Sequence, residues 1–230
     1  KSSIKNNKMC SFFDDLSSLK NCVMNALRNC EENSNLLGWV RASDAIGDFT
    51  YPYVLENQEF CMEYISTTVI KYTKKLYIRM LADGIQYYTD RYSWNAGGTI
   101  TKSLKNKNQL IVDEFSDGAF QAYTVRLEEA SQKGKIYIID AEFFIDGCNY
   151  VEHQYLGLTN SFPVRNLTLC VRVANNLKLL ECKYNMYGHS VDRVPKISKV
   201  IKPKSGIIEH TFKNLVIGER YNLEWRVVKK

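Results

Sequence analysis

The side chains best able to do chemistry in this 230-residue sequence are seven cysteines and three histidines. The cysteines, Cys10, Cys22, Cys30, Cys61, Cys148, Cys170 and Cys182, form no CxxC, and no histidine stands at zinc-finger spacing from them. Four-coordinate metal sites need such clustering, so no structural metal is expected. Scattered cysteines instead fit disulfide pairing in an oxidising compartment, and the odd count leaves one thiol free or paired with another chain, as in a covalent dimer or hetero-oligomer. One sequon, Asn166-Leu167-Thr168, agrees with a secreted glycoprotein and makes Asn166 the candidate glycosylation site.

Catalytic patterns are sparse. His153 follows Cys148 by five residues, which invites a thiol–imidazole reading, but no activating helix N-terminus or orienting partner can be traced. The plainer reading makes Cys148 a disulfide partner and His153 a loop residue. Asp140 and Glu142 project from one strand face about 7 Å apart, near the spacing of glycosidase acid pairs, yet a solvated strand face produces the same spacing. No H-x-x-x-H, G-x-S-x-G or phosphate-binding loop occurs, so no catalytic residue, cofactor or metal ligand is assigned, and a non-enzymatic protein is expected.

Two patterns favour binding. From Ser161 onward 14 Lys and Arg face 5 Asp and Glu, a net charge of +9, while the first 160 residues carry 17 against 20, a net of −3. Within the basic part, Lys196, Lys199, Lys202 and Lys204 lie in a segment punctuated by Pro195 and Pro203. In an extended, polyproline-like segment Lys196, Lys199 and Lys202 would share one face and could engage a sulfated polysaccharide or an anionic surface. The same lysines could instead guard a sheet edge. Lysine outnumbers arginine and no recognition helix is evident, which argues against nucleic acid. The second pattern is aromatic: Tyr92 and Trp94 in Asp90-Arg-Tyr-Ser-Trp-Asn-Ala-Gly-Gly are expected to be exposed contact residues for a protein or glycan.

The elements that must carry these residues divide by period. Phe12, Leu16, Leu19, Val23, Ala26, Leu27 and Cys30 recur at helical spacing and predict an N-terminal helix, with a second helical turn at Glu59 to Ile65 holding Cys61. After about residue 66 the period becomes two. Strands are expected at Leu76 to Ala82, Ile85 to Tyr88, Gln109 to Phe115, Ala119 to Glu128 and Lys135 to Asp146, with Asp83-Gly84, Asp117-Gly118 and Lys133-Gly134 as turns. In the last strand Ile139, Ala141, Phe143 and Ile145 share the core face, and Asp140, Glu142 and Asp146 the wet one. Leu167 to Val173 and Lys178 to Tyr184 read as a hairpin about Asn175-Asn176. A three-residue loop sets Cys170 opposite Cys182, within disulfide reach, and a two-residue turn sets it opposite Glu181; the three-residue form and a Cys170–Cys182 bridge are preferred. No apolar run is long enough for a membrane-spanning helix.

Near the end, Leu215, Gly218 and Tyr221, with Phe212 before and Leu223, Trp225 and Val227 after, follow an L-x-x-G-x-x-Y pattern. It resembles the tyrosine corner of fibronectin type III domains and related sandwiches, which implies a β-sandwich-like part and no particular function. The expected fold is therefore α+β, mostly β: a disulfide-linked helical segment (1–66), antiparallel sheets (67–158) and a sandwich-like region (164–230). The expected function is a secreted binding protein for a macromolecule or glycan. The alternatives are a carrier of a small apolar ligand inside a β-barrel or cup, and a disulfide-linked matrix protein.

Overall fold

Strand alternation dominates the computed structural model, which describes residues 51–149, 153–189 and 191–230. The described residues form thirteen strands, in order: β1 (Tyr53–Tyr64), β2 (Val69–Met80), β3 (Tyr87–Ser93), β4 (Thr99–Leu104), β5 (Leu110–Asp117), β6 (Phe120–Arg126), β7 (Ile136–Asp146), β8 (His153–Thr159), β9 (Val164–Val173), β10 (Leu177–Tyr187), β11 (Ile197–Val200), β12 (Ile207–Lys213) and β13 (Arg220–Lys229). The described residues are all-β, 64% strand and without helix, which corrects the α+β expectation. The Glu59 to Ile65 helical turn is also overturned, since Glu59 to Tyr64 lie in β1. The three- and four-residue spacing of short apolar runs there is outweighed by pairing of β1 on both edges. The predicted helix with Cys10, Cys22 and Cys30 lies outside the described residues.

A six-stranded sheet runs β12-β9-β1-β2-β7-β4, with β1 and β9 parallel. A four-stranded sheet, β11-β10-β13-β8, and a three-stranded sheet, β3-β6-β5, pack on its inner face. The inner face is set by period-two burial: β2 turns Ile70, Tyr72, Leu76, Ile78 and Met80 inward, and β7 buries Ile139, Ala141, Phe143 and Ile145. Rings bridge the layers, as in Tyr64–Trp225 (centroids 6.3 Å apart) and Tyr92–Phe143 (4.8 Å). The strands form one compact unit, Thr50–Lys230, because residues before 66 and after 164 share the central sheet.

Most of the predicted turns exist, but only Asp117-Gly118 closes a true hairpin, β5–β6. At Asp83-Gly84, at Lys133-Gly134 and at Asn175-Asn176 the chain crosses from one sheet to the other. The Cys170–Cys182 opposition is therefore not formed. β9 and β10 lie in different layers, Cys170 shares the outer face with Thr168 and Arg172, and Cys182 points into the core. Both are free thiols, and burial pushes the pKa of Cys182 up to about 11.

The sandwich corner forms as its residues predict. Gly218 takes φ +89°, and the Tyr221 hydroxyl accepts the Val216 amide (2.9 Å) while donating to Glu219 Oε2 (2.7 Å). Glu219 is buried and also receives Lys196.

Candidate functional site: the outer face of the central sheet

Around its middle strands the outer face of the six-stranded sheet is mainly polar, where the inner one is mainly apolar. Successive residues of a strand alternate sides, so β1 displays Glu59, Cys61 and Glu63, and β2 displays Lys71, Thr73 and Lys75. Register then arranges them in three rows across the strands. The first runs Thr211–Thr168–Glu59–Lys75–Asp140. The second runs Glu209–Cys170–Cys61–Thr73–Glu142. The third runs Ile207–Arg172–Glu63–Lys71–Phe144. Directly opposed charges attract across a strand pair, so the alternation supports the sheet as well as patterning its surface.

These rows line a cleft of about 560 Å³, in which Glu59, Glu63, Asp140 and Glu209 stand among Lys71, Lys75, Lys105 and Arg172. Lys71 Nζ lies 2.7 Å from Glu142, which raises its affinity for the proton, and Lys105 lies 3.4 Å from Asp140. The Thr168 and Thr211 hydroxyls are 2.9 Å apart. Asp140 and Glu142, weighed above as an acid pair, are thus each matched by a cation.

At the cleft floor the parallel pairing sets Cys61 beside Cys170. The hydrogen bond between the thiols raises Cys61 and lowers Cys170, and the Arg172 guanidinium adds to the lowering against the opposing effect of burial. Sequence reasoning missed this pair. The E-x-C-x-E run at Glu59, Cys61 and Glu63 against K-x-T-x-K at Lys71, Thr73 and Lys75 was the available signal. Nothing local reveals the parallel partner in β9.

Elsewhere the predicted site residues fall apart from one another. Tyr92 and Trp94 are half-buried rather than exposed: Tyr92 packs at a tilt against Phe143, and Trp94 Nε1 donates to the Gly97 carbonyl (2.7 Å). Lys196, Lys199, Lys202 and Lys204 are exposed along the edge strand β11 and the residues flanking it. Of the four, only Lys199 lies within β11, where the backbone is strand rather than polyproline helix, and Lys196 is engaged by Glu219. Asn166 is half-buried within β9, its Nδ2 donating to the Glu56 carbonyl (3.2 Å). Cys148 is buried, and burial raises its pKa, the opposite of an activated nucleophile.

A second polar group lies inside. Lys74, the one charge on the inward face of β2, donates to Asp90 Oδ1 (2.7 Å) and to the Arg91 carbonyl (2.8 Å). Asp90 Oδ2 accepts from the Tyr123 hydroxyl (2.7 Å), which ties the central sheet to the three-stranded one. Lys74, Asp90 and Tyr123 are all buried and satisfied by their neighbours, as a structural tie requires.

No protein-family model matches the sequence, and no curated protein matches it. Among solved structures the fold is similar to an M1 zinc metallopeptidase from Deinococcus radiodurans (10% identity, TM-score 0.41), over 77% of this chain and 43% of that one. It is also similar to the E323A mutant of that enzyme bound to a Tyr-Ser-Ala substrate (8% identity, TM-score 0.42, 76% and 42%). The chain thus spans less than half the length of these structures.

Proposed function

We propose that this chain is a secreted, non-enzymatic binding module whose recognition surface is the outer face of the central sheet. The observation that carries this reading is the three-row array of acidic and basic side chains around a cleft, built on five adjacent strands of the hydrogen-bonded sheet. A rigid sheet fixes these groups at regular spacing, which suits a partner segment with its own alternating charges. Sugar platforms are built from flat aromatic rings, and Phe144 is the one ring in these three rows, so a polar protein segment fits better than a neutral glycan. The filled interior, with Trp225, Tyr123, Tyr221 and Phe143 fully buried, likewise supports surface recognition over internal carriage of an apolar ligand.

A second reading rests on a separate observation, the exposed Lys199, Lys202 and Lys204 at the β11 edge, which offer a polyanion a cationic strip. One experiment divides the two. The parent chain, a face variant (Lys71→Glu, Lys75→Glu, Arg172→Glu) and an edge variant (Lys199→Ser, Lys202→Ser, Lys204→Ser) are used to capture partners from source fluid and are run on heparin. We expect the protein partner to be lost at least tenfold with the face variant alone. Retention of the partner by that variant overturns the reading. A partner or heparin affinity lost only with the edge variant moves recognition to β11.

A further inference from the structure

We propose that Cys61 and Cys170 are a reversible dithiol–disulfide couple at the floor of the cleft, oxidised by exchange with low-molecular-weight disulfides. The inference concerns covalent chemistry of the face and does not depend on what the face binds. Its first support is register. Cys61 and Cys170 are direct partners of parallel strands and point to the same side. Adjacent strands lie about 4.8 Å apart, inside the Cα separation of about 4.4–6.8 Å that a disulfide spans. Closure therefore needs side-chain rotation and no strand movement.

Chemical setting is the second support. The two thiols face one another across the strand pair, and Arg172 stands one residue pair along on the same face of β9. Thiolates are the attacking species in exchange, and a neighbouring cation favours them. Cys61 and Arg172 favour ionisation of Cys170, against burial and against Glu209 on β12. The third support is access. Both residues line the open cleft, Cys61 half-buried and Cys170 4% exposed, whereas Cys148 and Cys182 sit in the core.

The step balances. Cys170, having given its proton to solvent, attacks one sulfur of the small disulfide. That S–S bond breaks, a mixed disulfide forms on Cys170, and the first small thiolate leaves and takes up a proton. Cys61 then loses its proton and attacks the Cys170 sulfur, expelling the second small thiol. Two electrons pass from the protein dithiol to the reagent, which is reduced to two thiols. The product covalently joins β1 to β9, the one parallel pair among the described strands, and replaces two thiols in the middle row by a cystine between Glu209 and Thr73.

The test equilibrates the full reduced chain with glutathione redox buffers of increasing oxidising ratio, followed by acid quench, alkylation and peptide mapping. We expect a Cys61–Cys170 linked peptide to grow with the ratio, while Cys148 and Cys182 become alkylated only after unfolding. In Cys61→Ser we expect a glutathione adduct trapped on Cys170, and in Cys170→Ser at least tenfold slower adduct formation on Cys61. Absence of the linked peptide from the parent chain at the most oxidising ratio overturns the couple, and so does linkage of either residue to Cys10, Cys22 or Cys30 in its place. Equal adduct rates in the two variants overturn the assignment of Cys170 as attacking thiol. Matching circular dichroism of parent and variants ensures that the rates compare folded chains, and the parent result requires no variant.

Discussion

Lys74 is the one charged residue on the inward face of β2, and it is held there by Asp90 of β3. A lysine on the inward face of a strand is an anomaly of period-two patterning, visible in Val69–Met80 without any structure. Its partner is not visible, because Asp90 and Tyr123 come from another sheet. Removing one member of a buried pair leaves an uncompensated charge, which costs about 3–5 kcal/mol, whereas neutralising both can cost much less. Lys74→Met should therefore destabilise the chain strongly in urea unfolding. Lys74→Met combined with Asp90→Asn should recover part of the loss, since the amide oxygen put in place of the carboxylate could still accept from Tyr123. Equal stability of Lys74→Met and the parent would show the pair to be unimportant. Cysteine pairing failed for a related reason. Placing Cys170 opposite Cys182 assumed that neighbours in sequence are neighbours in a sheet, whereas Cys61, 109 residues earlier, holds that position.

At the scale of elements, turn chemistry was legible and turn topology was not. Gly84, Gly118 and Gly134 all adopt positive φ, as turn residues should, yet only Gly118 joins strands that pair. Local residues fix the reversal of the chain. Whether the next strand hydrogen-bonds to the last or crosses the core depends on which faces need cover. The edge strands β4 and β8 went unread because Thr99–Leu104 has only Ile100 and Leu104 as apolar residues and His153–Thr159 holds a glycine. The corner at Tyr221 succeeded because it is both local and chemically specific. Its hydroxyl satisfies the Val216 amide and binds Glu219, so Tyr221→Phe leaves two polar groups short of a partner. Such loss costs about 1–3 kcal/mol. A matching fall in unfolding free energy, with unchanged circular dichroism, is expected; no change would mean that water replaces the hydroxyl.

For the whole molecule, the charge split read from the sequence is only partly a spatial one. β9 brings Arg172 from the basic part into the central sheet beside Glu63 from the acidic part, so the cleft is balanced although the chain is not. Excess positive charge remains at the β11 edge, and it acts on a titratable group between layers. His210 of β12 stacks on Tyr184 of β10 (centroids 3.7 Å, 8° between planes) and meets Phe212 edge-on (4.6 Å). Burial lowers its pKa, and Lys199 lowers it further. The folded chain therefore takes up a proton at His210 less readily than the unfolded chain, whose histidine titrates near 6.5. Well above that pH neither form is protonated and the full stability is present. As pH falls from about 6.5 toward the lower folded value, the unfolded form gains protons first and stability declines. Glu224 adds a similar loss at lower pH: burial alone would raise its pKa, but hydrogen bonds from Asn185 and Lys183 outweigh burial and hold it below the usual glutamate value of 4.5. His210→Phe keeps an aromatic ring between Tyr184 and the core while removing the titrating nitrogen. Thermal unfolding of parent and variant between pH 8 and pH 5 should give a Tm difference that is flat above about pH 7 and shifts in the variant's favour below about 6.5. Parallel curves across that range would mean that His210 titrates alike in both states and that the sheet-to-sheet stack does not sense the lysine edge.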